Sequence, residues 1–183
     1  MTREEAFELV QNWTKNKNLV KHMFAVEAVM RALARRLGED EEKYALAGLV
    51  HDADYEKFPE EHPLKLIEEL EKRGEEVWLV NAVKTHAWGR HNLPEPKTRL
   101  EWALYTCDEL TGLVVAVALV RPDKKLSSVT ADSVLKKWNE KSFAAGVHRD
   151  QIELCEEKLG IELSEFVGIA LGAMQGISDE LGL

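Results

Sequence analysis

Apolar residues recur every three to four positions along nearly the whole chain, and that spacing leaves room for little except helix. Phe7, Val10 and Trp13, preceded by Glu4 and Glu5, predict a short opening helix. Met23, Val26, Met30, Leu33 and Leu37 predict a second over Leu19 to Leu37, with Gly38 at its C-terminal end. A third is expected from Asp40 to His51, its positive end matched by Asp40, Glu41 and Glu42. Asp54 to Glu61, which contains Pro59, reads as a loop. His62-Pro63 then opens a fourth helix through Lys72, with His62 as the N-cap and Pro63 in the first helical position. Gly74 closes it, and a fifth helix spans Glu75 to His86. Pro94 and Pro96 make Asn92 to Lys97 a connector.

A sixth, long helix covers Thr98 to Leu119 before Arg121-Pro122-Asp123 breaks it. Its valine-rich end, Leu113 to Val120, is strand-like in composition, but its continuity with the helix predicts buried helix. The last third predicts helices over Ala131–Lys141, Arg149–Leu159 and Ser164–Leu181. No repeat, low-complexity tract or linker divides the chain. The expectation is one all-α domain over residues 1–183, with the chemistry within about 18–115 and further helices over about 120–183.

Composition narrows the partners. At 45% apolar and 31% charged, the 183 residues suit a core beneath a charged surface. Met1-Thr-Arg-Glu-Glu lacks the basic start and apolar centre of a secretion signal, and no uninterrupted apolar stretch reaches membrane-spanning length. Cys107 and Cys155 make no disulfide framework and read as buried thiols. A cytoplasmic protein with no membrane partner is expected. A net charge of −9 without a basic patch argues against a nucleic-acid polymer. A small anion is still permitted, because bound metal ions would reverse the local sign.

The chemistry concentrates in histidines and aspartates at helix ends. His51-Asp52 closes the apolar run Tyr44 to Val50. Adjacent residues on a regular helix point about 100° apart, so the pair can serve one site if the helix ends there. His22 comes from the second helix. Asp108 comes from the sixth, inside Trp102-Ala-Leu-Tyr-Thr-Cys-Asp-Glu-Leu, where an aspartate is out of place unless paired or metal-bound. Glu109 beside it reads as solvated. His62 opens one helix and His86 closes another. This mixture of nitrogen and oxygen donors suits one or two divalent transition metals, Fe, Mn, Co, Ni or Zn, and is poorly matched to magnesium. If Asp52 bridges, one ion would take His22, His51, Asp52 and Asp108, and the second would take Asp52, His62 and His86.

The ordered series His22, His51-Asp52, Asp108 resembles the HD-domain superfamily of metal-dependent phosphohydrolases. Val20-Lys21-His22 resembles the family's first-histidine helix, Leu46-Ala-Gly-Leu-Val-His51-Asp52 its central helix, and Leu104-Tyr-Thr-Cys-Asp108 its last-ligand helix. His62 and His86 are similar to the extra histidines of binuclear members. The Gly-Tyr-Pro signature of the cyclic-dinucleotide branch is absent. The resemblance implies an orthogonal helical bundle and metal-dependent hydrolysis of a small phosphorylated molecule, often a nucleotide. Asp52 would be the catalytic bridging ligand, and Asp54, just past the ligands, is a candidate proton acceptor. Lys57, Arg90 and Arg99 are candidate phosphate contacts. The same donor set also resembles HD-type di-iron oxygenases. A non-catalytic metal-stabilised nucleotide-binding module is a third reading.

Overall fold

Asp40 starts the helix that carries the central pair: its side chain accepts the Glu42 and Lys43 amides at 3.0 and 3.1 Å, satisfying donors that the first turn leaves free. In the computed structural model, which describes residues 1–183, ten α-helices follow in order with no strand. They are α1 (Arg3–Trp13), α2 (Lys17–Leu37), α3 (Glu41–Val50), α4 (Leu64–Arg73), α5 (Val77–His86) and α6 (Arg99–Leu119), then α7 (Ala131–Trp138), α8 (Arg149–Leu159), α9 (Leu163–Gln175) and α10 (Ser178–Leu181). The all-α class expected from the periodicity is what the chain adopts, and α6 runs as helix through the valine-rich segment.

Several boundaries differ from expectation. Asp40, Glu76 and Thr98 stand just outside their helices as caps. His62 is not the cap of α4: Pro63 occupies that position and Leu64 begins the helix. The expected last helix is two, parted at Gly176-Ile177. The helix expected to reach Lys141 stops at Trp138. There the Arg149 guanidinium takes the carbonyls of Lys137, Trp138 and Glu140, which continued helix would need for its own ladder.

α6 is the axis of the molecule. It packs against α2, α5, α7, α8 and α9, while α3 lies along α2, and α1 against α3. Gly48 on α3 permits the α2–α3 approach: a Cβ there would sit 2.9 Å from the Glu27 nitrogen and the Val26 oxygen. One contiguous core runs from Ala6 to Leu181 and includes both Cys107 and Cys155. By length and composition α6 could cross a membrane, but most of its apolar window is buried inside this fold. The turns after α3 are pinned to the α1–α2 link. Thr14 donates to the Ala53 carbonyl at 3.0 Å, and Glu56 accepts the Lys15 and Asn16 amides. That anchoring fixes the turns after α3 against the start of α2.

Candidate metal centre

Six side chains from five segments converge. His22 stands within α2, His51 is the C-cap of α3, Asp52 begins the following turn, His62 precedes α4, His86 ends α5 and Asp108 lies midway along α6. Asp52 divides its oxygens between two neighbourhoods. Its Oδ2 is 3.7 Å from His22 Nε2 and 3.6 Å from His51 Nε2. Its Oδ1 is 3.4 Å from His62 Nε2 and 3.6 Å from His86 Nε2. Asp108 Oδ1 completes the first group, 2.9 Å from His22 Nε2 and 3.5 Å from His51 Nε2. Each group, His22/His51/Asp108 and Asp52/His62/His86, has donor atoms all within 4.8 Å of one another, close enough to hold an ion.

The outer hydrogen bonds fix which nitrogen faces inward. His51 Nδ1 is 2.8 Å from the Gly48 carbonyl, and His86 Nδ1 is 2.6 Å from the Val83 carbonyl. A carbonyl only accepts, so both Nδ1 atoms carry hydrogen and leave Nε2 for the centre. The Thr111 hydroxyl donates to the Asp108 carbonyl at 2.8 Å and so accepts from His22 Nδ1 at 3.2 Å. Asp54 Oδ1 accepts from His62 Nδ1 at 2.7 Å. These are the outer partners that metal-binding imidazoles require. His51 Nε2 is fully buried without a hydrogen-bond partner, and His62 Nε2 lies 3.2 Å from His86 Nε2. Inward-facing nitrogen lone pairs beside two carboxylates need a cation among them, and the donor set fits a divalent transition metal.

With protons as the only cations, the electrostatics point the same way. Burial opposes charge on His51, but Asp52 and Asp108 outweigh it and raise its pKa to about 9. Burial works against ionisation of both carboxyls as well, yet the neighbouring imidazoles, His51 foremost, hold Asp52 and Asp108 well below the usual range. Burial, with two neighbouring imidazoles, lowers His86 despite its hydrogen bond to Asp52.

The centre opens into a cleft of about 520 Å³. Of the expected phosphate contacts only Arg90 lines it, its guanidinium tethered to the Pro59 carbonyl. Lys57 does not: its ammonium lies 5.2 Å from the ring centres of both Trp13 and Phe58. Arg99 is also elsewhere, exposed at the start of α6 and 3.5 Å from Glu39. Asp54, expected as a proton acceptor, is fully buried. Its second oxygen accepts the Leu66 amide at 2.9 Å, so it orients His62 and caps α4 from outside.

Trp88, which reads from the sequence as core or pocket wall, lines the cleft, and beside it are groups that sequence patterning passed over: Tyr55 and Tyr105 add aromatic wall, and Val147, His148 and Gln151 arrive from the C-terminal third. Glu109, read as solvated, is partly buried in the same wall and accepts the His148 amide at 3.1 Å; burial pushes its carboxyl up. No local signal marks His148 or Gln151, because only the packing of α8 on α6 brings them here.

The model of the HD domain matches residues 19–118, more than half of the chain and a span containing all six converging side chains. A search of the curated proteins found no match. The ordered His, His-Asp and Asp series, the helices that present it and the extent of this match agree: the chain belongs to the HD domain family.

Proposed function

We propose that this protein is a metal-dependent phosphohydrolase that acts on a small phosphorylated molecule, with a nucleotide as the favoured substrate class. The observation that carries this reading is Asp52, whose two oxygens divide between two imidazole pairs. That is the arrangement expected of a carboxylate shared by two ions. Membership of a family made up mostly of metal-dependent hydrolases supports it. His22, His51 and Asp108 would hold one ion and His62 and His86 the other, with Asp52 between them. Divalent ions so held supply Lewis-acid stabilisation of phosphoryl oxygens and make water a stronger nucleophile near neutral pH.

The protein's own residues supply orientation. Asp54 keeps the His62 ring in the tautomer that presents Nε2, as Gly48 and Val83 do for His51 and His86. Arg90 offers a fixed guanidinium on the cleft wall for a substrate phosphate. Tyr55 and Trp88, both partly open to solvent, offer ring faces to a base or sugar. The test is metal analysis of the purified protein, followed by phosphate release across nucleotides and sugar phosphates with and without oxygen. Oxygen-independent phosphate release is expected. A metal-loaded protein that releases none across the panel, or turns over only with oxygen, would overturn the proposal.

A further inference from the structure

Arg149 is an unusual organiser for a surface loop. Its guanidinium donates to the carbonyls of Phe143 at 2.7 Å and Trp138 at 2.9 Å, and reaches those of Lys137, Glu140, Ala144 and Val147 at 3.4 to 3.5 Å. One side chain thereby gathers the carbonyls of six of the eleven residues 137–147 around itself, in a loop where Ala144 has a positive φ of 46°. The gathered loop is docked onto α6 at two points. Glu109 accepts the His148 amide at 3.1 Å, and Gln151 donates to the Tyr105 carbonyl. The residue this delivers is His148, whose imidazole makes no capping bond to α8 and lines the same cleft as His22, Asp52 and Asp108. Glu109 is the next residue after Asp108, so the dock places the His148 backbone beside the metal-ligand helix.

We propose that His148 is a substrate-contacting residue of this site: its imidazole donates a hydrogen bond to the substrate's phosphoryl group, and Arg149 and Glu109 are the positioning residues that hold it there. This inference rests on the phosphohydrolase reading. It adds a contact from outside the residues that match the family, in the same cleft that Arg90 lines.

The experiment uses the full-length, metal-loaded protein with inorganic phosphate as the probe, followed by calorimetry, and the most active compound of the nucleotide panel as substrate. His148→Ala should weaken phosphate binding and raise KM about tenfold, the loss expected for one hydrogen bond to a charged group. Metal stoichiometry and melting temperature should stay at wild-type values, because His148 is exposed. His148→Gln, which keeps an N–H donor, should recover part of the affinity. Arg149→Lys should raise KM in the same direction with little change in kcat, a split that simple loss of folded protein would not produce. If wild-type protein binds phosphate and His148→Ala binds it equally well with unchanged KM, this proposal falls alone. If wild-type protein neither binds phosphate nor releases it from the panel, the phosphohydrolase reading falls and takes this one with it.

Discussion

Asp54 is two residues from Asp52 and has a different task, and the difference is one of direction. Asp52 faces the converging imidazole Nε2 atoms, whereas Asp54 turns inward and spends both oxygens on His62 and Leu66. Asp54→Asn should therefore do more than remove a charge. If the amide oxygen keeps the Leu66 bond, the NH₂ group faces His62 Nδ1, and the ring is driven to the tautomer with hydrogen on Nε2. Occupancy at the His62/His86 position should fall with an affinity loss of about 10–100-fold. Metal analysis and chelator titration would measure this; wild-type stoichiometry and affinity would refute it. Protons compete for the same centre. In metal-free protein His51 titrates at about 9, against about 6.5 for an unfolded histidine. Its contribution to stability is complete below about 6.5 and is lost as pH rises through 9. The depressed Asp52 and Asp108 contribute above about 3.9 and lose their share only in stronger acid. EDTA-treated protein should melt lower at pH 9 than at pH 7. Metal needs the deprotonated ring, so chelator competition should show about tenfold tighter binding at pH 8 than at pH 7, and a flat profile would contradict the assignment. The converging residues are legible in the sequence from the ordered series His22, His51-Asp52, Asp108 and from Asp108 itself, a carboxylate out of place in an apolar helix unless paired or metal-bound. Lys57 and Arg99 were misread because charge and proximity along the chain say nothing about where a side chain points.

At the scale of helices, Gly48 couples packing to chemistry. It lets α3 lie against the backbone of α2, and its carbonyl also fixes the His51 tautomer. Gly48→Ala places a methyl against backbone atoms that cannot yield, a cost of about 1–3 kcal/mol that alanine's helix preference of about 1 kcal/mol offsets only at its lower end. Gly48→Val, larger and β-branched, should lower the melting temperature by about 5 °C or more. A thermal melt at or above wild type would show that α2 and α3 can separate without cost. The helices themselves were readable, since periodicity, Gly38 and Gly74 caps and the proline connector are local signals. The early end of α7 was not, because its cause is Arg149, eleven residues beyond Trp138. The N-cap of α4 was misplaced for a similar reason: its external acceptor is Asp54, and His62 is occupied at the candidate centre.

Across the whole molecule, the matched region and the folded unit do not coincide. The family match ends at 118, yet α6, on which Leu113, Val114, Val117 and Ala118 are buried, packs against α7, α8 and α9, all of which come later in the chain. A chain cut after Val120 should expose this face and aggregate or lose fixed side-chain packing. A dispersed, native-like amide NMR spectrum from residues 1–120 would show the opposite. Metal should reinforce the intact fold, with removal of an ion present at a hundredfold excess over its Kd costing about 2.7 kcal/mol of apparent stability, read as a lower melting temperature in EDTA. Helix α6 also has a consequence for the protein's birth. It is synthesised 40 residues before α8 is complete and 56 before α9 is, an interval of several seconds at roughly 5–20 residues per second. During that time it is a 21-residue apolar segment with the composition of a membrane span. What counts against misinsertion is Asp108-Glu109 near its midpoint, where each charge penalises translocon-guided entry by about 2.5–3.5 kcal/mol. The carboxylates that serve the mature cleft thus also guard the nascent chain against the wrong solvent.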